Sequence, residues 1–383
     1  MTDRGRIDGV LLATVVLLCL FGAIMVYSSS AIVATVESNS QTAYLRSLLP
    51  KLGLGTLVLL LLMNLPHQMW NGRLARWVLA ASLLSLLALV LPLGLAASGR
   101  GTDRFLDLGV IQLQPAEFAR IGLVLYLSSF IARNRKTLDG GWWGLRWPIV
   151  VIFTIAALVA KQPNLSSALL IAVIGFALLF LSGQSPVKLF VLGLTPLVLS
   201  IPFWHAYQYK RVLGFLGRGE EGELPYQVKQ SLIALGSGGF TGQGLGEGLQ
   251  KFLYLPFPHT DFILGVVGEE LGFTGVLVLF SLFGVVIYRG LRIARLVTDP
   301  FSQLLAAGIT LSLALNLIVH SAVVLGVGPV TGVPLPFISH GGSSLLVNMA
   351  AVGLLLSISR SIRSKPVSLR MTTNWAGKPT RAE

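Results

Sequence analysis

At 383 residues, 54% hydrophobic and only 12% charged, the chain falls well short of the roughly 25% charged residues of ordinary soluble domains. A mean hydropathy of +0.76 and apolar runs too long for a globular core exclude a soluble enzyme, a disordered chain and a typical nucleic-acid-binding domain. The formal net charge of +13 therefore needs no nucleic acid, since basic loops on one side of a membrane produce the same balance.

Arg4 and Arg6 precede an apolar run from Val10 to about Tyr27. That run exceeds a signal-peptide core and reads as an uncleaved first helix. Cys19 is the single cysteine, which leaves no intramolecular disulfide and no thiolate metal cage. A bilayer crossing needs about 20 predominantly apolar residues. Ten stretches qualify: 9–32, 48–65, 75–96, 115–132, 147–160, 165–182, 188–204, 261–288, 302–326 and 338–359. The prediction is an all-α polytopic membrane protein, one unit over 1–365 followed by a polar, disordered cytoplasmic tail over 366–383. The fifth span is short, and Lys161-Gln162-Pro163-Asn164 either separates it from the sixth or breaks a helix over a polar cavity.

An even number of spans puts both termini on one side. That side collects Arg73, Arg76, Arg133, Arg135, Lys136, Arg146, Lys188, Arg289, Arg292, Arg295, Arg360, Arg363, Lys365 and Arg370. The positive-inside bias makes it cytoplasmic, where it holds the whole charge excess and leaves the outer half balanced. Arg289, Arg292 and Arg295 also suit an extension of the eighth span into the headgroups. Between spans seven and eight lies a large external loop, 205–260, whose second half is Gly-rich with Leu, Phe and Tyr interspersed. A loop of that size is functional or has structure of its own, and this one reads as a folded segment on the outer membrane surface.

Ionisable residues at membrane depth are functional candidates. In Gln114-Pro115-Ala116-Glu117-Phe118-Ala119-Arg120, Pro115 and Glu117 suit a helix start, and Glu117 shares a face with Arg120. The pair is either a structural brace or part of a site, and Arg104 just before it would be a free cation nearby. In Tyr254-Leu255-Pro256-Phe257-Pro258-His259-Thr260-Asp261-Phe262, Asp261 meets the eighth span. A partly desolvated carboxylate there suits a general base, while Thr260 or Asp261 could equally cap the helix. Glu269 and Glu270 cannot share a face; they could pair with Arg104 or Arg120, hold a cation or brace the bundle. The run Pro334 to Ser344 is a tight external turn whose Gly and Ser permit close helix packing, with His340 open between packing and a polar cavity. There is no Walker motif and no HExxH, and His and Cys are too few for a transition-metal cage.

The ordered segments QPAEFAR, KQPNLSSA, YQVKQSLIALGSGGFTGQGLGEG, YLPFPHTDFILGVVGEELG and PVTGVPLPFISHGGSSLLVNMAAVGLLLSISR strongly resemble the SEDS family of polytopic cell-wall proteins typified by FtsW, RodA and SpoVE. The resemblance runs from about Arg104 to Arg360. It implies a bacterial inner-membrane glycosyltransferase that polymerises lipid II into peptidoglycan, with Asp261 as catalytic base. Arg104, Arg120, Lys210 and Arg211 are the implied diphosphate ligands, and Glu117, His259, Glu269, Glu270 and Ser343 complete the implied substrate-binding set. No dedicated cofactor site is legible, and Mg²⁺ or Mn²⁺ could share the diphosphate's charge. The implied partners are lipid II, the nascent glycan strand, a class B penicillin-binding transpeptidase, other division or elongation proteins and membrane lipids.

The chain departs from the family pattern at Ala116 and Arg120, where QPSE followed by Lys is usual, and at His340, where Tyr is usual. Phe105 stands in the usual GxxRW, and Gly219 to Glu223 replaces a DP-rich stretch. QSLIALGSGGF and QKFLYLPFPHTDF look closer to the FtsW branch, hence division, than to the RodA elongation branch. A lipid II transporter and a non-enzymatic scaffold are the competing readings; a transporter needs ionisable groups along a path through the bilayer, whereas here they cluster near the outer face.

Overall fold

The computed structural model describes residues 5–91, 104–107, 112–138, 141–162, 164–200, 225–252 and 254–362. Among the described residues, ten long helices match the ten stretches read from the sequence. They are α1 (Gly9–Ser38), α2 (Ala43–Asn64), α3 (Arg73–Val90), α4 (Pro115–Arg133), α6 (Arg146–Lys161), α7 (Leu165–Leu181), α8 (Pro186–Ser200), α10 (Ile263–Leu296), α11 (Pro300–Val324) and α12 (Gly342–Ser359). Eight of these spans are long and apolar enough to cross a membrane, α6 together with the 3-10 turn Trp143–Leu145 before it, and α7 and α8 are shorter apolar helices. Two further helices are α5 (Arg135–Leu138) and α9 (Tyr226–Ser237), and β1 (Leu106–Asp107) pairs antiparallel with β2 (Gln112–Leu113) just before α4.

Each boundary has a local cause. Asp8 caps α1 by accepting from Leu11 N at 3.0 Å, and Asp299 caps α11 by accepting from Ser302 N at 3.0 Å, with Pro300 in the first turn. The break between α6 and α7 falls at 162–164, where Asn164 caps the second helix, so these are two helices rather than one. α4 and α12 are mostly buried and form the centre, while α2, α3 and α6 expose apolar faces suited to lipid. Small residues set the closest approaches, as transmembrane packing requires. Gly353 of α12 lies on the Leu59 backbone of α2, and Gly308 of α11 faces Val124 of α4 and Leu178 of α7.

The 34-residue α10 is about 51 Å long, well beyond the ~30 Å hydrocarbon core. It continues through Arg289, Arg292 and Arg295, as the arginine spacing suggests. Near its other end the helix is interrupted at Gly272, with φ 65° and ψ −165°, a conformation open to glycine. The glycine-rich loop repairs the break. Phe273 N donates to Gly239 O at 3.0 Å, Thr274 N to Phe240 O at 3.1 Å, and Gln243 N to Glu269 O at 3.0 Å. Residues 225–252 are therefore folded around the first turns of α10; the rest of the external loop up to 224, and the tail from 363, lie outside the described residues.

The ends that carry the termini are tied together. Arg289 Nη2 donates to Asp8 Oδ1 at 2.8 Å, Asp8 N donates to Ser359 Oγ at 3.2 Å, and Gly5 abuts the carbonyls of Arg360 and Ile362.

Candidate functional site

At the opposite end, four helix ends and two irregular loops converge. Asp261 is half-buried immediately before α10. The N-cap position of that helix is taken by Phe262 rather than by Thr260 or Asp261. The segment between α11 and α12 runs beside it, so that a methyl built on Gly332 would lie 3.8 Å from Asp261 Oδ2. Two hydrogen bonds lock the loops together: His340 N donates to His259 O at 2.9 Å, and Ser339 Oγ donates to Thr260 O at 2.7 Å.

Rings surround this junction. Tyr44, at the start of α2, tilts over the buried His259 with centroids 4.3 Å apart and meets His340 edge-on at 5.2 Å. His259 and His340 are themselves 5.8 Å apart. Ser47 Oγ lies 2.8 Å from His340 Nε2, and the Lys51 side chain crosses Gly342 at the head of α12. His340 is thus part of a polar aromatic cluster rather than of apolar core. The α2 residues Tyr44, Ser47 and Lys51 belong to no motif; an ionisable Lys51 inside an apolar span was the one signal that could have found them.

Glu117 and Arg120 form the pair that their spacing predicts, with Oε2 and Nη2 2.8 Å apart and both side chains buried. Arg120 Nη2 also donates to Asn348 Oδ1 of α12 at 3.0 Å, while its Nε and Nη1 have no hydrogen-bond partner among the described residues. Buried donors left unmet are costly, so this guanidinium keeps capacity for an acceptor. Arg104 is not a free cation, because its Nε donates to Gln162 O at 3.2 Å. Ser343 Oγ accepts from Gln114 N at 2.8 Å and donates to Gln112 O at 2.9 Å, which joins the start of α4 to α12.

Glu269 and Glu270 take partners other than the arginines that the sequence offered. Glu269 Oε1 accepts from Leu249 N at 2.7 Å and from Gln250 N at 3.1 Å. Glu270 pairs with Lys251 at 2.7 Å and accepts from Ser28 Oγ at 2.6 and 2.8 Å. Both carboxylates are buried, and here they hold the loop to α10. Lys210 and Arg211 lie outside the described residues. Among the described residues no three His, Cys, Asp or Glu side chains are grouped to hold a metal ion.

A half-buried carboxylate at the junction of two cross-bonded loops can accept a proton, and a buried guanidinium on α4 with unmet donors can steady an anion. Known proteins point the same way. A family model described as "Cell cycle protein" (FTSW_RODA_SPOVE) matches residues 9–364. A "probable peptidoglycan glycosyltransferase FtsW" from Trichlorobacter lovleyi is 38% identical over 368 residues, covering 94% of this chain and 95% of that one. A chain from a peptidoglycan synthase complex, solved for the coordination of polymerization and crosslinking, superposes with a TM-score of 0.75 at 28% identity over 94% of this chain and 99% of that one. The rod shape determining protein RodA of Thermus thermophilus superposes with a TM-score of 0.68 at 27% identity, covering 93% and 98%.

Proposed function

This chain belongs to the FtsW–RodA–SpoVE family, and we propose that it is a peptidoglycan glycosyltransferase of the FtsW branch, polymerising lipid II in the bacterial inner membrane. The observation that carries the reading is Asp261 itself. Its carboxylate sits half-buried beside Gly332, at the junction of two interlocked loops.

In the proposed reaction Asp261 takes the proton from the 4-hydroxyl of the acceptor GlcNAc as that oxygen attacks the anomeric carbon of the donor MurNAc. The bond from that carbon to the diphosphate oxygen breaks, undecaprenyl diphosphate leaves with the electron pair, and the centre inverts. The protonated Asp261 then returns its proton to solvent. A fixed carboxylate within reach of the hydroxyl contributes by general base catalysis, typically 10²–10⁴-fold. Arg120, with two unmet donors, takes charge from the leaving diphosphate in this reading. Tyr44, His259 and His340 supply ring faces for the sugars. A Mg²⁺ or Mn²⁺ ion, where one takes part, would arrive with the diphosphate.

The basic end near Arg289, Arg360 and the termini suits the cytoplasmic side, which puts Asp261 outside. The FtsW relative supports a division role. The likeness to a synthase complex that couples polymerization to crosslinking supports a class B penicillin-binding transpeptidase as partner.

The test is polymerisation of purified lipid II by the full chain, with and without such a transpeptidase. Wild type should make glycan strands and Asp261→Asn, at normal folded yield, should make essentially none. Strand synthesis at the wild-type rate by Asp261→Asn defeats the base assignment. Wild-type protein that forms no strands under either condition but moves lipid II across vesicles would establish transport instead.

A further inference from the structure

The segment between α11 and α12 is non-helical from Gly328 to Gly341, yet Val333, Leu335, Phe337, Ile338 and Ser339 are all buried. It dips between helices far enough that a methyl on Gly22 of α1 would overlap the Phe337 carbonyl. Irregular backbone at such depth survives only where protein groups satisfy it. Ser339 Oγ does so for Leu335 N at 2.9 Å, and His320, near the end of α11, does so for the Val333 carbonyl, with Nδ1 3.0 Å away.

A carbonyl can only accept, so Nδ1 of His320 carries the hydrogen and Nε2 is the bare nitrogen. The imidazole is 1% exposed, and Nε2 has no partner among the described residues. Ser312, Asn316 and His320 follow at intervals of four, hence on one face of α11. They too are buried, and Ser312 Oγ and both amide atoms of Asn316 lack partners. Polar atoms left open in this way are where ordered water is held.

We propose that His320 is a positioning residue for Asp261, acting through the backbone of Gly332 and Val333. The imidazole fixes the Val333 carbonyl, and the neighbouring Gly332 borders the aspartate so closely that a methyl built on it would lie 3.8 Å from Asp261 Oδ2. The same strap then continues to Ser339 and His340, whose bonds to Thr260 O and His259 O hold the residues immediately before the aspartate. A loss at Val333 therefore reaches Asp261 from both sides. The inference rests on the reading of Asp261 as the base.

The experiment compares His320→Leu with His320→Asn, whose side-chain nitrogen can occupy the position of Nδ1 and donate to the same carbonyl. Lipid II polymerisation by the full chain with its transpeptidase is measured beside hydrogen exchange of amides in 330–341. Loss of positioning at a reacting group costs on the order of 10²-fold for about 1 Å of displacement. His320→Leu should accordingly lose roughly ten- to a hundredfold in kcat with little change in KM, and exchange in the strap should rise. His320→Asn should restore most of both. Wild-type kcat in His320→Leu overturns the inference, and so does a folded His320→Asn as inactive as the leucine variant. If Asp261→Asn is fully active the base reading fails by itself; strap exchange then decides whether His320 pins the backbone, and unchanged exchange overturns that as well.

Discussion

Lys251→Met tests how the external loop is held to α10. Lys251 and Glu270 are 3% and 0% exposed, with Nζ and Oε1 2.7 Å apart. At an effective dielectric of about 20 their attraction is roughly 6 kcal/mol, while desolvating each ion costs several kcal/mol. The two effects nearly cancel, so the intact pair adds little net stability. Removing only the lysine is different, because Glu270 then keeps a buried negative charge that the Ser28 hydroxyl alone cannot compensate. An uncompensated buried charge of this kind costs about 3–5 kcal/mol. In Lys251→Met/Glu270→Gln the charge is gone and the amide oxygen still accepts from Ser28. Denaturant unfolding in one detergent, run as a double-mutant cycle, should therefore show Lys251→Met down by about 3–5 kcal/mol and the double variant within about 1 kcal/mol of wild type. Lipid II polymerisation should fall and recover in parallel, since the loop leads directly into Asp261. Equal stability of the single and double variants refutes the reasoning.

His67 is buried in the turn after α2, and burial pushes its imidazole below the ordinary value of 6.5, with the Asp299 carboxylate partly opposing this. The unfolded chain therefore binds a proton that the folded chain refuses as pH falls below 6.5. Stability should drop from there downward. His67→Gln should lessen the drop in melting temperature between pH 7.5 and 5.5, and an identical drop in the variant counts against it. Gly72 has φ 82°, and the Arg133 guanidinium fills the space that a side chain would take; Gly72→Ala should cost about 1–3 kcal/mol in the same unfolding assay. Phe257 and Phe337 both have positive φ, at 53° and 65°, but Phe257 is 60% exposed and Phe337 only 4%. Phe257→Gly should thus be near neutral or stabilising by up to about 1 kcal/mol, whereas Phe337→Gly should lose about 3–5 kcal/mol of packing. A reversed order in melting temperature would contradict the argument.

The helical body was legible because apolar runs of bilayer length have few other uses, and because Pro115, Asn164 and Asp299 mark helix starts by local chemistry. The Glu117–Arg120 contact was legible for the same reason, being three residues apart on one helix. Partners brought together by tertiary packing were not. Nothing periodic links Glu270 to Lys251 in the loop or to Ser28 on α1, and the adjacent arginines looked equally suitable. Asp261 was ambiguous because Thr-Asp before an apolar run is also a capping pattern. Only the chain path shows that Phe262 takes the cap position. Tyr44 and Ser47 are common residues at the head of a span, and their meaning comes from His259 and His340 arriving beside them.

Two Leu-Pro-Phe turns, 255–257 and 335–337, explain how this end of the molecule stays ordered without helix. Each phenylalanine occupies the left-handed region, a conformation that costs about 1–3 kcal/mol and persists only when its surroundings impose it. In the second turn the surroundings are visible: α1 approaches the Phe337 backbone so closely at Gly22 that a methyl there would overlap it, and the ring is buried. The two turns are then bonded to each other through His340 N and His259 O, and through Ser339 and Thr260. Strain in one loop is consequently borne by helix packing and passed to the other, which ends at Asp261. The position of that carboxylate is set by how α1, α2, α10 and α12 pack together, so a substitution at Gly22, remote from Asp261 in sequence, belongs to the same mechanical unit as the aspartate.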